Sequence, residues 1–158
     1  MEKLIAHYRF DEEARPGEDA SGHEFHARVR GSNAPYIDDV AGRRAAIFAG
    51  GPSGTAYFEL PEGIFQTVGD DDGITVTAWV YFNQGTSAWE RIFDFGRSQH
   101  GPYLFLTRNL RGVCFLNGDI AADPMSAYPF GEWMHLAMVV SGTQGGKLSS
   151  AGPCIYVN

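Results

Sequence analysis

The stretch from Ile74 to Phe82, ITVTAWVYF, alternates residue by residue. Side chains of an extended strand point to opposite faces in turn, so Ile74, Val76, Ala78 and Val80 share one face while Thr75, Thr77, Trp79 and Tyr81 share the other. The first set is the better core face. A second stretch, MHLAMVV, is apolar on both faces, with Met134, Leu136, Met138 and Val140 opposite His135, Ala137 and Val139. Such a strand belongs at the centre of a sheet, covered on both sides. Nowhere does the 3.6-residue period of a helix persist for three turns. The expected fold class is all-β.

Further strand signals fall at Leu4 to Phe10, Ala45 to Phe48, Ala56 to Leu60, Arg91 to Gly96, Tyr103 to Thr107, Val113 to Leu116 and Cys154 to Val157, with the MHLAMVV strand running from Met134 to Ser141. The segments between them, RPGEDASG, AGGPSG, GDDDG, RSQHGP and SGTQGGKLSSAGP, carry the Gly, Pro, Asp and Ser of turns. None is long enough to be a linker and no repeat is visible, so residues 1–158 read as one domain. A globule of this length buries about 70% of its unfolded surface, enough for a core without staples. Two packed antiparallel sheets, a jelly-roll sandwich, bury such strands best. In it, WMHLAMVVSG and CIYVN become neighbouring hairpin strands joined by a Gly- and Ser-rich loop.

Charge narrows the partners. The formal net charge is −7 and no basic cluster is long enough to follow a phosphate backbone, which argues against nucleic acid. No run approaches the roughly 18–20 apolar residues of a membrane-spanning helix, so membrane insertion is not expected. The opening MEKLIAHYRF lacks the apolar centre and cleavage site of a signal peptide, which leaves a cytoplasmic protein or one whose export signal lies outside these residues. Cys114 and Cys154, the only cysteines, are too few for a zinc site or a disulfide scaffold. Two separate thiols or a single bridge both remain open for them.

In order along the chain, LIAHYRFDEE, DASGHEFHA, GRRAAIFAGG, AYFELP, ITVTAWVYF, WERIFDFG, YLFLT, EWMHLAMVVSG and CIYVN resemble the laminin-G-like jelly rolls of the concanavalin A-like lectin and glucanase superfamily. That form is common among accessory modules of bacterial carbohydrate-active enzymes. The resemblance implies a secreted or cell-surface setting and a carbohydrate ligand. It also implies further strands after the one that CIYVN resembles, so that a jelly roll of usual size would lack its last roughly 30–50 residues here. Unpaired edges and exposed core are costly, and the expectation is that a partner chain, a swapped copy or a continuation of the chain completes the sheet.

Several residue sets bear on chemistry. Glucanases of the superfamily carry carboxylates at alternate positions of one strand, because retaining hydrolysis needs an acid and a nucleophile about 5–5.5 Å apart. Here Asp94 stands alone in IFDFG and Glu59 alone in YFELP. A non-catalytic protein is therefore expected, with a glycosidase as a distant alternative that would need residues beyond this chain. In HEFH, His23 and His26 lack the helical spacing of zinc proteases and read as exposed loop histidines. His135 reads as structural beside Trp133. By resemblance, a structural calcium would use Glu12 and Asp19, although relatives often carry Asp within the stretch that reads IFAGG here, with Ala49. The other reading of Asp19 is that it caps the DASG turn through its own backbone.

Sugar binding asks for exposed aromatic faces beside hydrogen-bonding groups, since the C–H face of a pyranose stacks on a ring while its hydroxyls need polar partners. Trp89, Arg91, Tyr103, Arg108 and Asn109 are the candidates, on loops or on a concave sheet. Trp79 and Trp133 are assigned to the core. The leading expectation is a carbohydrate-binding or accessory β-sandwich module, and the alternative is a protein-interaction or structural module of the same fold. Fold alone does not choose between them.

Overall fold

The structure, a computed structural model, describes residues 3–50, 55–66, 68, 72–83, 91–95, 105–107, 113–116, 119–122, 128–140 and 154–157. Among these residues there is no helix, and so none long and apolar enough to cross a membrane. The described residues form eleven strands, β1 (Arg28–Arg30), β2 (Tyr36–Val40), β3 (Arg43–Ile47), β4 (Tyr57–Glu59), β5 (Ile74–Tyr81), β6 (Arg91–Asp94), β7 (Phe105–Thr107), β8 (Val113–Leu116), β9 (Asp119–Ala122), β10 (Trp133–Val140) and β11 (Cys154–Val157). Every pairing is antiparallel. The all-β expectation holds. The chain divides into two compact units, Met1–Thr67 and Val68–Asn158.

In the first unit β1 pairs with β4, and β2 pairs with β3. Val40 faces Arg43 across a two-residue turn, in which Ala41 (φ 45°) and Gly42 (φ 82°) both take the left-handed conformation that fits the twist of a hairpin. Ile37 and Ile64 are its buried aliphatic residues. Phe58 packs against Phe10 and Phe48, with ring centroids 4.9 and 5.8 Å away. The strand expected over Leu4 to Phe10 does not form. Only Tyr8 makes a bridge, to Asp19, because the neighbouring amide of His7 is taken by the Asp19 side chain instead of a ladder partner.

In the second unit β10 lies between β5 and β11, in register from Trp133↔Tyr81 to Val140↔Ile74 and from Leu136↔Val157 to Val139↔Cys154. Both the central place of β10 and its hairpin with β11 agree with the sequence reading. The other sheet runs β6-β7-β8-β9, so Cys114 and Cys154 lie on strands of different sheets. The inner face of β10 is closed: Met134, Leu136, Met138 and Val140 are buried, while Trp133, His135, Ala137 and Val139 on its other face are half-buried. Ile74 and Val76 of β5 join Met138 and Val140, and Val80 joins Met134 and Leu136.

Strand β6 of the second sheet covers this inner face. Its pairing with β7 shifts between Arg91 and Phe93. A bulge inserts one residue without a partner and re-aims the side chains around it. Ile92 and Phe93 can consequently both pack on the core, although neighbours in a regular strand would diverge. Phe93 also stacks on Phe95 with centroids 5.0 Å apart.

Candidate functional site

The outer face of the β5–β10–β11 sheet is built by the same alternation that builds the core. Trp79 lies opposite His135, and Thr77 lies opposite Ala137, which in turn lies opposite Tyr156. Residues opposite one another, or two apart on a strand, share a face. Trp79 and Tyr156 are 53% and 59% exposed, so two large aromatic side chains lie open on one surface. The His135 ring sits 5.1 Å from that of Trp79, tilted by 47°. Next along the strands, Tyr81 and Trp133 meet edge to face at 5.5 Å. Thr75 and Thr77 add exposed hydroxyls on the same side.

This arrangement corrects the assignment of Trp79 to the core. Its strand parity places it with the threonines, on the side away from Met134, Leu136 and Met138, and that parity outweighs its size. Trp133 is half-buried on the same outer face and so does not belong to the inner core either. His135, read as structural, contributes its ring to the exposed surface beside Trp79.

Of the sugar-binding candidates named from sequence, Trp89, Tyr103, Arg108 and Asn109 lie outside the described residues. Arg91 opens β6 and is exposed, its Nε 3.6 Å from Asp94 Oδ2. In a regular strand residues three apart point to opposite faces, so the bulge between them is what lets this ion pair form.

Asp19 organises a different kind of site. It is 5% exposed, and its two oxygens accept four hydrogen bonds. The His7 and Ser21 amides donate to Oδ1 at 2.8 and 2.9 Å, while the Ser21 hydroxyl and the Phe25 amide donate to Oδ2 at 2.7 and 3.1 Å. Its own amide donates to His26 Nδ1 at 3.1 Å, and the Tyr8 hydroxyl donates to the Phe25 carbonyl at 2.6 Å. Gly17 permits the loop to close: a Cβ there would sit 2.1 Å from the Ala27 carbonyl oxygen. Burial alone would push the Asp19 carboxyl up. The donors from His7, Ser21 and Phe25 outweigh it and hold the group at about 2. Burial and the nearby Asp19 charge push the Tyr8 hydroxyl up to about 12.

These contacts test the calcium set. A carboxylate has about four lone-pair positions. All four on Asp19 are met by donors, so a cation could enter only by displacing one. Glu12 is exposed and bonds Arg15 Nη2 at 2.9 Å, while Arg15 Nη1 bonds Glu18. A cavity of about 40 Å³ beside Glu12 is lined by Arg9, Asp11, Arg15 and Glu18 among others, but not by Asp19. Among the described residues no three His, Cys, Asp or Glu side chains gather as a metal site. As placed, Glu12 and Asp19 do not fit a calcium site, and Asp19 caps the DASG turn through the Ser21 amide. His23 and His26 are exposed loop residues, as expected; His26 Nδ1 accepts from the Asp19 amide, and His23 Nδ1 lies 3.1 Å from the Ile5 carbonyl oxygen.

An antiparallel β architecture with one sheet laid over the inner face of another defines a β-sandwich class. The family model described as the concanavalin A-like lectin/glucanases superfamily, of the laminin G type, matches residues 52–154, more than half of the chain, and the protein belongs to that superfamily. The matched region contains Trp79 and His135 and ends short of Tyr156; the Asp19 loop precedes it. No curated protein and no solved structure matches the chain significantly.

Proposed function

We propose that this chain is a non-catalytic carbohydrate-binding module, an accessory β-sandwich of a secreted or surface polysaccharide-degrading protein, with the outer face of the β5–β10–β11 sheet as its sugar surface. The observation that carries this reading is the exposure of Trp79 and Tyr156 on one face, with His135 between them across the strands. Fully burying an aromatic side chain stabilises a fold by about 1.5–3 kcal/mol. Leaving two such groups open on a rigid sheet forgoes that stabilisation, which makes sense where a ligand covers them. A pyranose ring presents both the apolar face that such rings stack on and the hydroxyls that Thr75 and Thr77 can meet. Among the described residues no strand carries carboxylates at alternate positions, so this reading assigns the face to binding.

The test is a glycan array followed by affinity electrophoresis with Trp79→Ala. Retention should fall at least about tenfold, equivalent to about 1.4 kcal/mol, with the melting temperature preserved. Retention unchanged in that variant would remove the face from consideration. A protein-interaction role is the second reading, favoured by β11, which is an edge strand of the described sheet and exposes Val157 as well as Tyr156. It would show as capture of a defined protein without binding to any glycan.

A further inference from the structure

Resting on the carbohydrate reading of this face, we infer that its ligand is an uncharged polysaccharide laid across the strands, and not an anionic glycan such as a uronate or sulfated chain. Three observations converge on that class. The first is the chemistry of the face. Thr75, Thr77, Trp79, His135, Ala137 and Tyr156 include no carboxylate, ammonium or guanidinium group, and no other described side chain on that face supplies one. The imidazole of His135 is its one basic group and lies against the Trp79 ring. A carboxylate or sulfate pressed onto indole and phenol rings would lose its hydration and gain no cation in return, a loss that ring stacking does not offset.

The second observation is the disposition of cations elsewhere. Arg91, the one arginine described in the same unit, already faces Asp94 within ion-pair distance, its Nε 3.6 Å from Oδ2. The net charge of −7 adds a field that slows the approach of any polyanion. The hydroxyls of Thr75, Thr77 and Tyr156, by contrast, can give and take hydrogen bonds with neutral sugar hydroxyls at no electrostatic cost.

The third is geometry. Trp79 and Tyr156 are two strands apart and offset by two residues, which by strand spacing and rise separates their Cα atoms by roughly 12 Å. That span accommodates more than one sugar ring, and the surface between the two rings carries only the small Ala137 and the half-buried His135. An open surface of this kind suits the interior of a chain better than a single terminal sugar enclosed in a pocket.

The experiment is native affinity electrophoresis of the full chain in gels containing either uncharged polysaccharides (hydroxyethyl cellulose, glucomannan, xyloglucan) or anionic ones (polygalacturonate, alginate), with and without added salt. Wild type and Trp79→Ala are compared, and Tyr156→Ala replaces the latter if it melts early. Retention by one or more uncharged gels, insensitive to salt and lost in the variant, supports the inference. Retention by anionic gels alone, lost in the variant, overturns it and leaves the carbohydrate reading standing. Retention that survives both substitutions, or none in any gel, overturns that reading and the inference with it.

Discussion

Among the described residues, the deepest polar group of 1–67 is the Asp19 carboxylate, held by four donors, whereas in 68–158 Leu136 and Met138 are fully buried among packed hydrophobic side chains. The two halves therefore reach order by different physics. A carboxylate nest fixes loop geometry through directional bonds and depends on its charge. A sheet core is indifferent to charge but intolerant of lost volume. Directional bonding lets short strands and glycine-rich turns hold a definite shape in the first unit, while close packing of one sheet on another frees the outer face of β5 and β10 in the second to vary its chemistry.

The largest break in this comparison should come from volume. Met138 is fully buried between Ile74, Val76, Phe93 and Phe95, and Met138→Ala should cost about 2–5 kcal/mol in urea unfolding, with little dependence on pH. Next comes charge. Asp19→Ala strands four donors and should cost about 2–3 kcal/mol, with the His7, Ser21 and Phe25 amides losing protection from hydrogen exchange. The same clasp sets an acid limit. The carboxyl titrates at about 2 when folded and near 3.8 in a free peptide, so its ionised form stabilises the fold above pH 3.8, and that contribution disappears as the pH falls towards 2. Asp19→Asn should flatten stability across that window while Met138→Ala leaves its slope intact; equal slopes in wild type and Asp19→Asn would assign the acid response to other groups. The smallest expected effect is that of calcium. Millimolar calcium or a chelator should leave the melting temperature unchanged, and a clear upward shift with calcium would mean that a cation displaces one of the Asp19 donors.

The contrast also explains what could be read in advance. Strands β5, β8, β10 and β11 were legible because alternating or continuous apolar runs, bounded by turn residues, signal a buried strand directly. Strands β1, β2 and β9 escaped that reading. RVR and DIAA are short, and the paired aspartates of YIDDV look like a turn, yet tertiary pairing makes each a strand. The false strand at Leu4 to Phe10 shows the reverse error: its pattern was right for a ladder, but an aspartate twelve residues beyond His7 claimed the amide. For the site, alternation already separated Trp79 from the core set, and the general preference of tryptophan for burial was the weaker guide. Tyr156 gave no comparable signal, because its place beside Ala137 depends on the β10–β11 register.

The irregularity in β6 gives that strand a parity switch. Because one residue has no partner there, the two charged ends of RIFD emerge on one side and its two hydrophobes on the other, a polarity that a counting rule of two would never produce. Deleting Ile92 would leave Arg91, Phe93 and Asp94 in conventional alternation, with the two charges still on one face and Phe93 alone on the other, and strip the opposing sheet of half its lid from this strand. A gap of a single position in this short stretch would therefore mark a relative whose second layer is dressed differently, even if every other segment looked the same.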